Sequence, residues 1–237
     1  MPAVRLGVES IRIETFDVVG QDSDTELEFI RHIALSSSSG PAHAPTDSLI
    51  ITEMGPPLTV EGDGGRIHAH GSVPLTEDER LQIRLFIDEN RREYEAQSAG
   101  ARAQYCIRPH SQPFRRTDGD RTVQFQRFSC AGFVIEAYAD AGIALLITDE
   151  ARLPPIPLDL VCTAYPDFEN QLRNSNFRVR LNLGGDGPWP LVLPAYVLNA
   201  LRDRERAAIL AQPYSPMPGD EYFPPRRQPS IPTPSQE

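Results

Sequence analysis

Along the first 75 residues apolar and polar positions alternate in short runs broken by turn residues, and from Thr76 onward the spacing lengthens toward that of helices. The run SIRIETFDVV reads as a strand, and EFIRHIALS as a second. The Ser-, Gly- and Pro-rich SSSSGPAHAPTD between EFIRHIALS and the next apolar run reads as a loop. DSLIITEMGPPLTVEG is β-branched and aliphatic with a Gly-Pro-Pro break, GDGG is a turn, and RIHAHGSV is a further strand. The N-terminal part is therefore a strand-rich meander.

In LTEDERLQIRLFIDENRREY, Thr76 is placed to cap a helix with Glu79 at its third position, and Ile83, Phe86, Ile87 and Tyr94 recur on one face. The polar PHSQPFRRTDGDRT is expected to be a connector to the short strand VQFQRF. With Cys130 as origin, Phe133, Val134, Ala137, Tyr138 and Ala141 fall at offsets 3, 4, 7, 8 and 11, the stripe of a buried helix, and Gly142 supplies its stop. Further on, LPPIPLDL is expected to be a rigid extended connector, NFRVRLNLG a strand, and LPAYVLNALRDRERAAILAQ the last helix. Eight prolines in residues 213–237 predict an extended or disordered tail, with one domain over 1–212.

Length and a 40% hydrophobic content allow one domain with a substantial core and a small annex. A formal charge of −10 and a pI near 5.0 repel phosphate backbones, so nucleic acid is not an expected partner. All 23 basic residues are Arg, which excludes Schiff-base and phosphate-loop lysine chemistry. Cys106, Cys130 and Cys162 lack metal or redox spacing and are expected as reduced thiols. No signal-like leader is visible and no apolar run approaches roughly 18 residues, so a cytoplasmic chain without a membrane span is expected.

Cys130 is the residue on which the function turns. At the first turn of its predicted helix, unpaired N–H groups and the helix dipole favour a thiolate. The competing reading is a small apolar side chain filling the core. A thiol nucleophile needs an imidazole and an orienting group, and all five histidines (His32, His43, His68, His70 and His110) precede it. That order is the reverse of papain-type and ordinary NlpC-type enzymes.

The succession FDVVGQ, FIRHIALS, SLIITEMGPPLTV, LTEDERLQIRLFIDENRREY, FSCAGFVIEAYADAGIALL and LPPIPLDL resembles the circularly permuted papain-fold amidases, the YiiX-like relatives of NlpC-type peptidases, over Phe16 to Leu160. The resemblance implies an α+β, papain-like fold with the nucleophile helix packed on an antiparallel sheet, a core over about 10–165 and an annex over 166–212. Position by position it implies Cys130 as nucleophile, His32 as base and Glu53 as the residue that orients the imidazole. Tyr105 matches a tyrosine that lines the cleft. The chain departs from the family pattern in three places: Phe16 replaces a glycine, Ala131 the commoner serine, and Gly132 a glutamate. Ala131 and Gly132 are thus expected to alter the substrate-binding wall beside the nucleophile.

Independently of the resemblance, period-2 alternation lets His32 face a polar cleft while Ile33 and Leu35 fill the core. Glu53, ending the aliphatic run LIIT, calls for a partner such as an imidazole. His68 and His70 form an H-x-H pair that can hold a metal, with Asp63 or His43 as a third ligand, or can supply the base for Cys130. Cys106 and Cys162 read as packing residues. The expectation is a cysteine hydrolase or acyl-transferase acting on a peptide-like or acyl substrate without a cofactor. The alternatives are a metal-dependent hydrolase using His68 and His70, and an inactive binding module that contacts another protein through its Pro-rich tail.

Overall fold

The computed structural model of the protein describes residues 4–5, 11–22, 29–42, 49–65, 67–96, 104–118, 120–165 and 169–225. Its centre is a six-stranded sheet. In chain order the strands are β1 (Val4–Arg5), β3 (Val18–Asp22), β4 (Ile30–Ser36), β6 (Ile50–Met54), β7 (Leu58–Asp63) and β8 (Ala69–Gly71), lying side by side as β1-β8-β3-β4-β6-β7. Every pairing in it is antiparallel. The remaining early strands, β2 (Ile11–Ile13) and β5 (Gly40–Ala42), pair with each other.

The run SIRIETFDVV is two strands rather than one. Phe16 adopts φ 71°, the Glu14 N–H donates to Asp17 Oδ2 at 2.8 Å, and the Asp17 N–H donates to the Glu14 carbonyl at 3.0 Å. These bonds close a turn that separates β2 from β3. Period-2 alternation then sorts the side chains: Val18, Ile33, Leu35, Met54 and Ala69 enter the main core, while Val19, Ala34 and Ile51 join Ile13 and Ile67 in a smaller cluster.

Helices cover the main-core face. Helix α1 (Glu77–Glu95) starts with the capping box expected at Thr76 and Glu79 and buries Ile83, Ile87, Asn90 and Tyr94. Helix α2 (Cys130–Asp140) is capped by the Ser129 side chain and stopped near Gly142, whose φ of 78° suits glycine. It packs against β4, α1 and α6 (Pro194–Leu201), and its Tyr138 hydroxyl donates to the Phe16 carbonyl at 2.8 Å. The molecule is thus α+β, with helices on an antiparallel sheet.

Several elements differ from the sequence expectation. The polar PHSQPFRRTDGDRT supplies β9 (Ser111–Asp118), which forms a hairpin with β10 (Arg121–Phe128) held by stacking of Phe114 on Phe125 at 4.8 Å. LPPIPLDL contributes β11 (Pro155–Ile156), paired with β12 (Trp189–Pro190), and opens helix α3 (Leu158–Ala164). Helix α4 (Glu169–Leu172) follows it. NFRVRLNLG is not a strand but lies largely in helix α5 (Ser175–Arg180): Asn174 caps it, and the buried Arg178 guanidinium donates to the Leu172, Arg173 and Gly185 carbonyls and pairs with Asp186. An inward arginine imitates the polar beat of a strand. The last helix is two, α6 and α7 (Arg206–Ala211), with Asp203 at φ 50° in the break and Arg204 donating to the Ala200 and Ala208 carbonyls on either side.

The proline-rich end is packed as far as Pro225. Tyr214 exchanges backbone hydrogen bonds with Leu145 and Ile147, Phe223 is buried, and the Asn199 amide donates to the Asp220 and Tyr222 carbonyls. One apolar cluster runs from Phe16 through Leu183 and Trp189 to Phe223, so the expected annex shares the core of the sheet and helices. The rest of the expected tail, 226–237, lies outside the described residues. Among the described residues no helix is long and apolar enough to cross a membrane.

Candidate active site

The site forms where two neighbouring strands part. Pairing between β4 and β6 is confined to Leu35 with Thr52 and Ser36 with Ile51, although both strands run on past it, one back to His32 and the other forward to Glu53. A bulge between Ile51 and Glu53 in the β6–β7 ladder re-aims the end of β6. Across the gap, His32 Nε2 meets Glu53 Oε2 at 2.7 Å, with the side chains 18% and 23% exposed. Gly55 closes the far side of the pair: a Cβ there would lie 3.8 Å from Glu53 Oε1 and 4.0 Å from His32 Cε1.

Helix α2 delivers Cys130 into the same gap. Its start is fixed twice, by the Ser129 hydroxyl accepting from the Gly132 N–H at 2.9 Å and by the Ser129 N–H donating to the His110 carbonyl at 2.9 Å. The His32 imidazole interacts with the Cys130 sulfur by charge and hydrogen bonding, and the Ile33 N–H, unclaimed by the β6 ladder, is directed at the same sulfur. With Nε2 committed to Glu53, Nδ1 is the ring nitrogen left for Cys130.

These contacts set the protonation states. Burial works against a charged imidazole, but the adjacent Cys130 sulfur and then Glu53 outweigh it and push His32 up to about 10. Burial likewise opposes a thiolate, yet His32, the Ile33 N–H and the Tyr105 hydroxyl bring the Cys130 thiol below its ordinary value. Both shifts run toward a thiolate–imidazolium pair. Cys106 goes the other way, pushed up to about 12 by burial, and burial also raises Cys162. Both therefore behave as the packing residues expected.

Tyr105 reaches the site through a short parallel bridge to Phe128, with the Cys106 N–H donating to the Phe128 carbonyl at 3.1 Å. Its hydroxyl stands against the Cys130 sulfur and the Cys130 backbone N–H, and also against Tyr165. Tyr165 caps the C-terminus of α3 and is buried. It was not singled out in the sequence, because it lies beyond Leu160, where the motif resemblance ends.

Two expected wall residues are placed elsewhere. Ala131 is enclosed in the main core. Gly132 lies against the backbone of the β9 approach, where an added Cβ would sit 1.9 Å from the His110 carbonyl oxygen. Glycine is needed there because two stretches of backbone meet, so Gly132 serves packing and is not the substrate wall expected from the sequence.

His70 is fully buried with its Nε2 at 2.7 Å from Asp17 Oδ2, and the groups that act on the Cys130 thiol are His32, Ile33 and Tyr105. Asp63 accepts from the Gly65 N–H, and His43 lies outside the described residues. Among the described residues no three His, Cys, Asp or Glu side chains, His68 and His70 included, are grouped to hold an ion. Compared with known proteins, the chain matches no family model, no curated protein and no solved structure.

Proposed function

We propose that the protein is a cysteine-nucleophile hydrolase or acyl-transferase of the permuted papain-like kind, acting on an amide or ester carbonyl. The observation that carries this reading is the arrangement of Cys130, His32 and Glu53: a thiol at a helix N-terminus, an imidazole against it, and a carboxylate at 2.7 Å behind the imidazole. Each group has the partner that its role requires.

In the forward step the Cys130 thiolate adds to the carbonyl carbon and the carbonyl π pair moves to oxygen. That oxyanion is met by the Tyr105 hydroxyl, which stands beside the Cys130 sulfur. Collapse re-forms the carbonyl and breaks the bond to the leaving amine or alcohol, which takes the proton of the His32 imidazolium; a thioester on Cys130 remains. Neutral His32 then removes a proton from water or another acceptor as it attacks the thioester, and the thiolate–imidazolium pair is restored. Glu53 holds the ring and stabilises its charge throughout.

The test is acyl trapping. Activated esters and aminoacyl amides of varied chain type are mixed with the protein, and the acid-quenched chain is mapped by mass spectrometry. An acyl adduct on Cys130, with turnover lost in Cys130→Ser, is the expected result. Absence of both an adduct and Cys130-dependent turnover across the set overturns the reading.

A further inference from the structure

A cavity of about 360 Å³ opens between the end of α1, the start of β7 and the segment that leads to Tyr105. Two of its walls continue into the chain segments that build the site. Leu58 lines the cavity and pairs with Met54, the residue after Glu53. Gln104 lines it and immediately precedes Tyr105, which is bridged to Phe128, two residues before Cys130. Tyr94 adds a fixed aromatic surface, its ring edge-on to Phe125 at 5.6 Å and its hydroxyl donating to the Gln126 carbonyl.

Gln104 is only 5% exposed, so its amide is nearly removed from water. The Leu58 N–H can only donate and faces Gln104 Oε1 at 3.4 Å, which fixes the end of the amide that points to β7. Among the described residues nothing accepts from the Nε2 that remains, and this nitrogen is the group Gln104 offers to the cavity. A donor so enclosed calls for an acceptor. Arg91 and Glu95 bring opposite charges to the same lining, so the cavity favours a neutral group over an ion.

We propose that this cavity is the acyl-side subsite of the Cys130 site and takes a peptide-like residue, the carbonyl of an N-acylamino group accepting from Gln104 Nε2 while an apolar side chain of medium size lies on Leu58, Val60 and the Tyr94 ring. This rests on the cysteine-hydrolase reading. A fatty acyl chain has no such acceptor and would bury the Gln104 N–H groups against methylenes, so the amide discriminates against lipid-like acyl groups. Size points the same way: ligand pockets run from about 300 to 1,000 Å³, and one near the lower bound suits a side chain with its flanking peptide group.

The experiment uses the p-nitrophenyl esters of acetic acid, 4-methylpentanoic acid and N-acetyl-leucine, the last differing from the second only by the acetamido group on the α-carbon. Each kcat/KM is divided by the rate of the same ester with 2-mercaptoethanol, which removes intrinsic reactivity. The unaltered protein is expected to prefer the N-acetyl-leucine ester over the 4-methylpentanoate by roughly 3- to 10-fold, and Gln104→Leu to abolish that preference. Val60→Phe, which fills the cavity, is expected to lower both larger esters relative to the acetate. No preference in the unaltered protein, a preference unchanged in Gln104→Leu, or larger esters unaffected by Val60→Phe overturns the subsite, while acylation of Cys130 by the acetate still upholds the hydrolase reading. Should Gln104→Leu fail to fold, the preference of the unaltered protein and the Val60→Phe result decide. If no ester acylates Cys130, the hydrolase reading falls and the subsite with it.

Discussion

Glu53→Gln separates an oriented triad from a chance meeting of thiol and imidazole. The substitution keeps the size of the side chain and an oxygen at the 2.7 Å contact, but removes the charge facing the imidazolium. Unit charges about 4 Å apart interact by roughly 4 kcal/mol at an effective dielectric constant near 20, which caps the loss at about 3 pKa units. The surviving acceptor, the remaining Cys130 thiolate and the 18–23% exposure of the two side chains reduce it, so a fall of His32 by about one to two units is expected. The signs follow from the raised imidazole. Its pairing stabilises the fold fully below the ordinary histidine value and is lost as pH rises through about 10, so Glu53→Gln brings that loss to lower pH. A less persistent imidazolium stabilises the thiolate less, and the Cys130 midpoint rises. Turnover of the trapped acyl substrate is expected to drop roughly 10²-fold or more. The assays are histidine NMR titration, alkylation against pH and initial rates, with Asp63→Asn as the unchanged control because Asp63 is exposed and accepts from the Gly65 N–H. Wild-type rate, His32 titration and Cys130 midpoint in Glu53→Gln would refute the orienting role.

Iodoacetamide at neutral pH is expected to label Cys130 before Cys106 and Cys162, since burial alone does not distinguish three enclosed thiols but only Cys130 has its acidity increased; peptide mapping at short times checks the order. Gly132→Ala drives a Cβ into the His110 carbonyl and is expected to cost about 1–3 kcal/mol or more, read as a lowered denaturation midpoint; unaltered stability would show that the two backbones separate freely. His70→Ala leaves Asp17 buried without its imidazole and is expected to destabilise by about 3 kcal/mol or more while sparing the Cys130 alkylation midpoint of the folded fraction. A shifted midpoint at full stability would instead place His70 in the chemistry.

The helical side of the site was legible because helices advertise both their faces and their ends. Thr76 with Glu79, and the apolar stripe that starts at Cys130, are local chemical signals that the tertiary structure had no reason to override. Gly142 was legible for the same reason, its positive φ being a demand that few other residues meet. The β9 strand and the α5 helix were not, because their patterns carry the opposite local message. Arg115 and Arg116 make β9 polar until its hairpin partner is known, and Arg178 alternates like a strand residue while its guanidinium is in fact consumed by carbonyls inside the fold. Likewise the prolines after Gln212 argue against regular structure but not against packing, which Tyr214, Asp220 and Phe223 supply at single points.

The geometry of the candidate site depends on something that no strand pattern encodes, the divergence of β4 from β6. Each strand could be read alone, and His32 and Glu53 each stood out as polar residues at aliphatic runs. What brings them to work on Cys130 is that the ladder stops at Leu35 and Thr52, leaving the Ile33 N–H and the two side chains facing a gap. The N-terminus of α2 fills that gap and in doing so answers two needs at once. The orphaned strand amide gains an acceptor, and the thiolate gains a donor in addition to the helix end and the imidazole. A paired ladder would have consumed the amide and closed the space that the sulfur occupies. The parting of the strands therefore supplies one of the donors that, after His32, lower the thiol, and the bulge before Glu53 and the Gly55 turn behind it lie where the strands part.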